Sequence, residues 1–224
     1  MVKVYFGTNR KPNRKASPDD FGREFSEDGL ANLRFGMAEV TGGGLDEFEL
    51  FVAPERLPAD DRQKTAGGQT PVFGSTNIFE RVRDKMIGHA RDTVVFIHGY
   101  NVSFKEALTS AARVKRNFSR DEGGPGVNVV LFSWPSDGSM KPFLAYANDR
   151  QDAAASGPAF ARGLLKLADF LRGSTPEEAC DHNVHLVAHS MGNYVLRHTV
   201  QEYVAQSPGR PARLFDQDRK STRL

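Results

Sequence analysis

The chain has 224 residues, 39% hydrophobic, 26% charged and 10% aromatic, which excludes disordered, collagen-like and coiled-coil proteins and is enough for a buried core. Thirty Lys and Arg against 28 Asp and Glu give a formal charge of +2; residues 1–15 carry +5 and residues 210–224 carry +3, leaving the middle at −6. A basic nucleic-acid-binding body is therefore not expected, and the basic ends read as solvated tails.

Lys3–Phe6, Leu33–Val40 and Phe48–Val52 read as strands between Gly- and Pro-rich turns, an antiparallel start to a sheet. Ile78, Val82, Met86 and Ile87 suggest a short helix. Thr93–His98, Val127–Trp134 and Asn183–His189 are short runs, β-branched and apolar on both faces, the pattern of buried parallel strands. Helical spacing of Phe104, Ala107, Leu108, Ala111, Val114 and Phe118 lies between the first two. Phe160, Leu164, Leu167, Ala168 and Leu171 repeat it between the last two. A final helix through Tyr194, Val195, Val200 and Tyr203 ends at Ser207-Pro208-Gly209. Strands alternating with helices predict an α/β fold with a central, mostly parallel sheet and helices on both faces.

Cys180 is the single cysteine, so neither an internal disulfide nor a cysteine-cluster zinc site is expected. No segment approaches the roughly 20 apolar residues of a membrane span, and MVKVYFGTNRKPNRK lacks the apolar core of a leader peptide. A cytoplasmic location is expected. Thr41-Gly42-Gly43-Gly44 lacks the Gly-Lys-Ser/Thr of a phosphate loop.

The chemistry concentrates at two turns. Ala188-His189-Ser190-Met191-Gly192 stands where an apolar strand passes directly into a helix, the setting of a nucleophile elbow. Small residues two before and two after the serine, Ala188 and Gly192, let strand and helix approach. Ser190 is the candidate nucleophile, and the Met191 N–H at the helix start points where an oxyanion would form. After the first apolar strand, His98-Gly99-Tyr100-Asn101 offers the Tyr100 N–H as a second oxyanion donor. Gly99 permits the tight turn, and His98 and Asn101 brace it; His98 is read as a brace rather than a general base. Trp134 and Tyr146 line an acyl pocket or simply pack near a strand end, while Asp137 and Asp149 are given surface-loop roles.

VVFIHGYNVSFKEAL, VVLFSWPS, HLVAHSMGNYVL and the opening VYFGTNR together resemble a bacterial α/β-hydrolase family of undefined substrate, loosely grouped with esterases and lipases. The resemblance spans residues 2–217. It implies an α/β-hydrolase fold in one domain over 1–217, with N-terminal strands and loops over 1–75 and a core over 76–209. It also implies Ser190 as nucleophile, Tyr100 and Met191 as oxyanion donors, His189 and Gly192 as elbow supports, a small acyl or ester substrate, and no metal or organic cofactor.

Its departure is at the carboxyl end. The triad order Ser, Asp or Glu, His needs an acid and a base after Ser190, yet His198 is the only histidine there, two turns into the elbow helix and aimed away. Residues 218–224 read as an atypical polar tail in place of an apolar strand, so the C-terminal strands are expected to be lacking and the chain to be truncated, a fragment or a frameshifted gene end. The edge of Asn183–His189 is then expected to be bare and open to self-association. Activity is expected to be impaired or absent; a non-catalytic scaffold that binds an acyl ligand or a protein partner is the alternative.

Overall fold

Residues that are apolar on both faces form strands only where both faces can be covered, and the sheet of this protein obeys that rule. The structure is a computed structural model that describes residues 1–15, 17–27, 32–54, 74–89, 91–119, 126–136, 142–172, 183–206, 215 and 217–221, with the backbone alone at 142–148, 171–172 and 217–221. Strands β1 (Val2–Thr8), β4 (Arg34–Thr41), β5 (Glu47–Val52), β6 (Asp92–Ile97), β7 (Val127–Ser133), β8 (Val184–His189) and β9 (Gln217–Ser221) form one sheet in the order β5-β4-β1-β7-β6-β8-β9. The β5-β4-β1 pairs are antiparallel and all the others parallel. A two-stranded hairpin, β2 (Arg10–Pro12) with β3 (Phe21–Phe25), follows β1.

Alternation along each strand divides the core in two. Val95 and Ile97 of β6 and Val130 and Phe132 of β7 face one cluster, with α1 (Gly74–His89), α3 (Pro142–Arg172) and α4 (Gly192–Gln206). Val94, Phe96, Val129 and Leu131 face the other, where α2 (Phe104–Phe118) packs with Val4, Phe6, Ala38 and Val40. The helix α2 begins with a capping box, Ser103 and Glu106 each satisfying the other's backbone N–H.

Two expectations are corrected and one element is new. Residues 218–221 of the stretch read as a polar tail join Gln217 in β9, paired in parallel to His185 to His189, so β8 is not the bare edge. A backbone ladder needs no apolar side chains, and Arg219 and Lys220 suit a strand with a single neighbour. The hairpin β2–β3 has no counterpart in the sequence reading, because a three-residue strand containing Pro12 carries no periodic signal. Ile87, read with the apolar face of α1, is half exposed. Among the described residues no helix is long and apolar enough to cross a membrane.

Candidate active site

The parallel strands β6, β7 and β8 end side by side, and the turns that follow them converge. Between β8 and α4 only Ser190 and Met191 intervene. Ser190 has φ 51°, the left-handed region that costs a non-glycine residue about 1–3 kcal/mol unless its surroundings enforce it. They do: a Cβ on Gly192 would lie 2.6 Å from the His98 carbonyl oxygen and 2.7 Å from that of Ile97. The start of α4 is thus pressed onto the end of β6 at a distance only glycine allows. The Asn193 side-chain amide donates to the carbonyls of Ala188 (3.3 Å) and Ser190 (3.0 Å) and closes the turn from below.

The loop after β6 runs against this elbow. A Cβ on Gly99 would meet His189 Nδ1 at 2.8 Å and Ser190 Cβ at 3.0 Å, so the glycine is required by contact with the serine itself. His98, immediately before it, is buried. Its Nε2 faces three donors: the Trp134 N–H at 3.2 Å, Arg10 Nη2 at 3.3 Å and Ser133 Oγ at 3.3 Å. Two of these can only donate, so Nε2 is the acceptor and the proton sits on Nδ1, which donates to the Gly99 carbonyl at 2.8 Å. Burial, reinforced by the Arg10 charge, pushes the His98 pKa down to about 3. His98 is therefore neutral at physiological pH with both nitrogens engaged in the loop. The Trp134 ring stacks on His98 with 5.4 Å between centroids, and its indole N–H donates to the His98 carbonyl at 3.0 Å.

Asn101, also left-handed at φ 51°, completes the loop. Its N–H donates to Ser136 Oγ (2.6 Å), whose hydroxyl donates to the Asp149 carboxylate on α3 (3.0 Å). Its side-chain oxygen accepts from Arg23 of β3 at 2.9 Å, and the same guanidinium reaches the Ser136 carbonyl at 3.3 Å.

Ser190, Met191, Gly192, His98, Gly99, Tyr100, Asn101 and His189 thus come together as one cluster of turns. Among the described residues no side chain is hydrogen-bonded to the Ser190 hydroxyl and no acceptor meets the Met191 N–H, one of the first donors of α4. Trp134 is fully buried under the loop. The side chain of Tyr146 lies outside those described, as does Asp137. His198 sits on the far part of the elbow helix, its ring against Tyr194 (centroids 4.7 Å apart) and its Cβ against Gly157 of α3.

Two residues overturn the roles given them from sequence. Asp149, read as a surface-loop carboxylate, is fully buried on α3. Arg10, counted in the solvated basic start, is fully buried. Its guanidinium donates to Ser133 Oγ (2.9 Å), the Gly22 carbonyl (3.0 Å) and the Val102 carbonyl (2.6 Å). The signal available was its place in VYFGTNR, directly after an apolar strand, but charge alone points to solvent.

Comparison with known proteins agrees with this geometry. A family model described as an alpha/beta hydrolase of unknown function (DUF900) matches residues 75–216. The chain is 32% identical to the uncharacterized protein alr1448 of Nostoc sp. over 134 residues, which cover 51% of this chain and 32% of that protein. The match therefore spans about a third of the length of the curated relative. No solved structure matches.

Proposed function

The chain belongs to the alpha/beta hydrolase family of unknown function, DUF900, and from that premise we propose that it acts as a serine hydrolase of esterase type on a carboxylic ester or related acyl compound. The observation that carries this is the left-handed Ser190 wedged between the Gly99 loop and the start of α4, where no acceptor among the described residues meets the Met191 N–H. In the proposed step Ser190 Oγ attacks the acyl carbon, its proton passing to a base, and the carbonyl electrons collect on an oxyanion held by the Met191 and Tyr100 N–H groups. Collapse expels the alcohol, which takes up the proton, and leaves an acyl-serine that water then hydrolyses. Each oxyanion donor is worth about 3 kcal/mol of barrier.

His98 is spent in the loop, and no described histidine is bonded to the serine hydroxyl. With no acceptor on the Ser190 hydroxyl among the described residues, the nucleophile is weakly activated there and a slow reaction is expected. Labelling the purified 224-residue protein with a fluorophosphonate, with Ser190→Ala as control, tests this. Slow labelling that disappears in the variant is the expected result. A folded protein that takes no label favours the second reading, a scaffold that binds an acyl ligand or partner without turning it over, for which a Ser190 hydroxyl that meets no side chain among the described residues is the supporting observation.

A further inference from the structure

Arg10 stands outside every role assigned so far, and outside the stretch matched by the family model. A buried guanidinium without a carboxylate is costly, and among the described residues none lies within ion-pair distance of it. Its donors instead go to parts of the candidate site: Ser133 at the end of β7, Val102 at the end of the Gly99 loop, Gly22 in the hairpin and His98 Nε2.

Resting on the serine-hydrolase reading above, we infer that Arg10 is a positioning residue for the oxyanion loop, acting through His98. The chain of cause is short. Arg10 and the Trp134 N–H present only donors to Nε2, which places the His98 proton on Nδ1. Nδ1–H holds the Gly99 carbonyl at 2.8 Å. That carbonyl and the Tyr100 N–H belong to one planar trans peptide and point in opposite directions, so fixing the first aims the second. Val102 O, held at 2.6 Å, anchors the other end of the same loop. The N-terminal hairpin is in this way built into the site, 88 residues from the histidine it sets.

Nitrogen-15 spectra of side-chain histidines and of the Tyr100 amide, on the full chain, test the inference, alongside fluorophosphonate labelling. In the wild type His98 should show the Nδ1–H tautomer and stay neutral well below pH 6; an Nε2–H tautomer would overturn the inference without any variant. In Arg10→Met, which keeps the bulk and removes the donors, His98 should titrate at higher pH, the Tyr100 amide should shift or broaden, and Ser190 labelling should slow about tenfold or more, part of the loss seen when an oxyanion donor is removed. Arg10→Lys, which keeps the charge but not the fork, should fall between. Val82→Ala, which weakens the core under α1, should lower stability and leave all three readouts in place; if it moves them equally, Arg10 is merely structural. A folded Arg10→Met with unchanged His98 and Tyr100 signals also defeats the inference. Wild-type protein that shows the expected spectra but no label defeats the hydrolase reading alone.

Discussion

His98 makes the stability of this protein depend on pH in a direction that follows from its burial. An exposed histidine titrates near 6.5; His98, held at about 3 by burial and by Arg10, does not take a proton until far lower. Between those values the unfolded chain binds a proton that the folded chain refuses, so acid favours unfolding. The stability His98 contributes is complete above about pH 6.5 and is lost as pH falls toward 3, at up to about 1.4 kcal/mol per pH unit. Urea-unfolding free energies from pH 7 to 5, a range above most carboxylate titrations, should fall along that slope in the wild type. His98→Asn should be less stable at pH 7 but flatter. Equal slopes in the two proteins would mean that His98 is not the group responsible.

Gly192 shows what the strand-turn-helix unit demands. In Gly192→Ala the new methyl would meet two backbone carbonyls at 2.6 and 2.7 Å, neither of which can swing aside, so α4 must lift from β6. Overpacking of this kind costs about 1–3 kcal/mol, and Ser190 rides on the displaced turn. The expected outcome is a lower urea midpoint together with slower labelling of Ser190; an unchanged midpoint would show that the turn has slack. Such close approach is why the elbow was legible in the sequence: a glycine or alanine at each flank of a serine, between an apolar strand and a helix, is a local pattern. The central strands were legible for a similar reason, since β6 and β7 are apolar on both faces. The strand β9 was not, because its pairing with β8 rests on backbone groups while its side chains read as a polar end. Nor was the first half of α3, where Gly157 and Pro158 interrupt the helical pattern and the chain stays helical through them, with Gly157 closing onto His198 of α4.

Across the whole molecule, what could not be read was whatever joins distant segments. Arg10 and His98 are 88 residues apart, Ser136 meets Asp149 only through the placement of α3, and a charged residue gives no sign in sequence that it is buried. These long-range bonds make the N-terminal third part of the site rather than a decoration, and they predict the fate of a shortened chain that keeps the family-matched residues 75–216 but not the strands before them. Residues 74–224 without β1 to β5 would leave β7 without β1, its neighbour through Tyr5 to Thr8. Phe104 would lose the rings of Phe6 and Phe21, at 5.1 and 4.8 Å between centroids, and Phe79 would lose Phe35 at 5.3 Å. Full burial of each such side chain is worth about 1.5–3 kcal/mol, and a domain's net stability is only about 5–15 kcal/mol. The deficit falls on an exposed apolar face and an open strand edge, both of which favour association. The shortened protein should therefore elute as aggregate in size-exclusion chromatography and show no cooperative thermal transition by circular dichroism, whereas the 224-residue chain should show one. A monomeric shortened protein that melts cooperatively would show that the N-terminal strands are dispensable to the fold, and the Arg10 network with them.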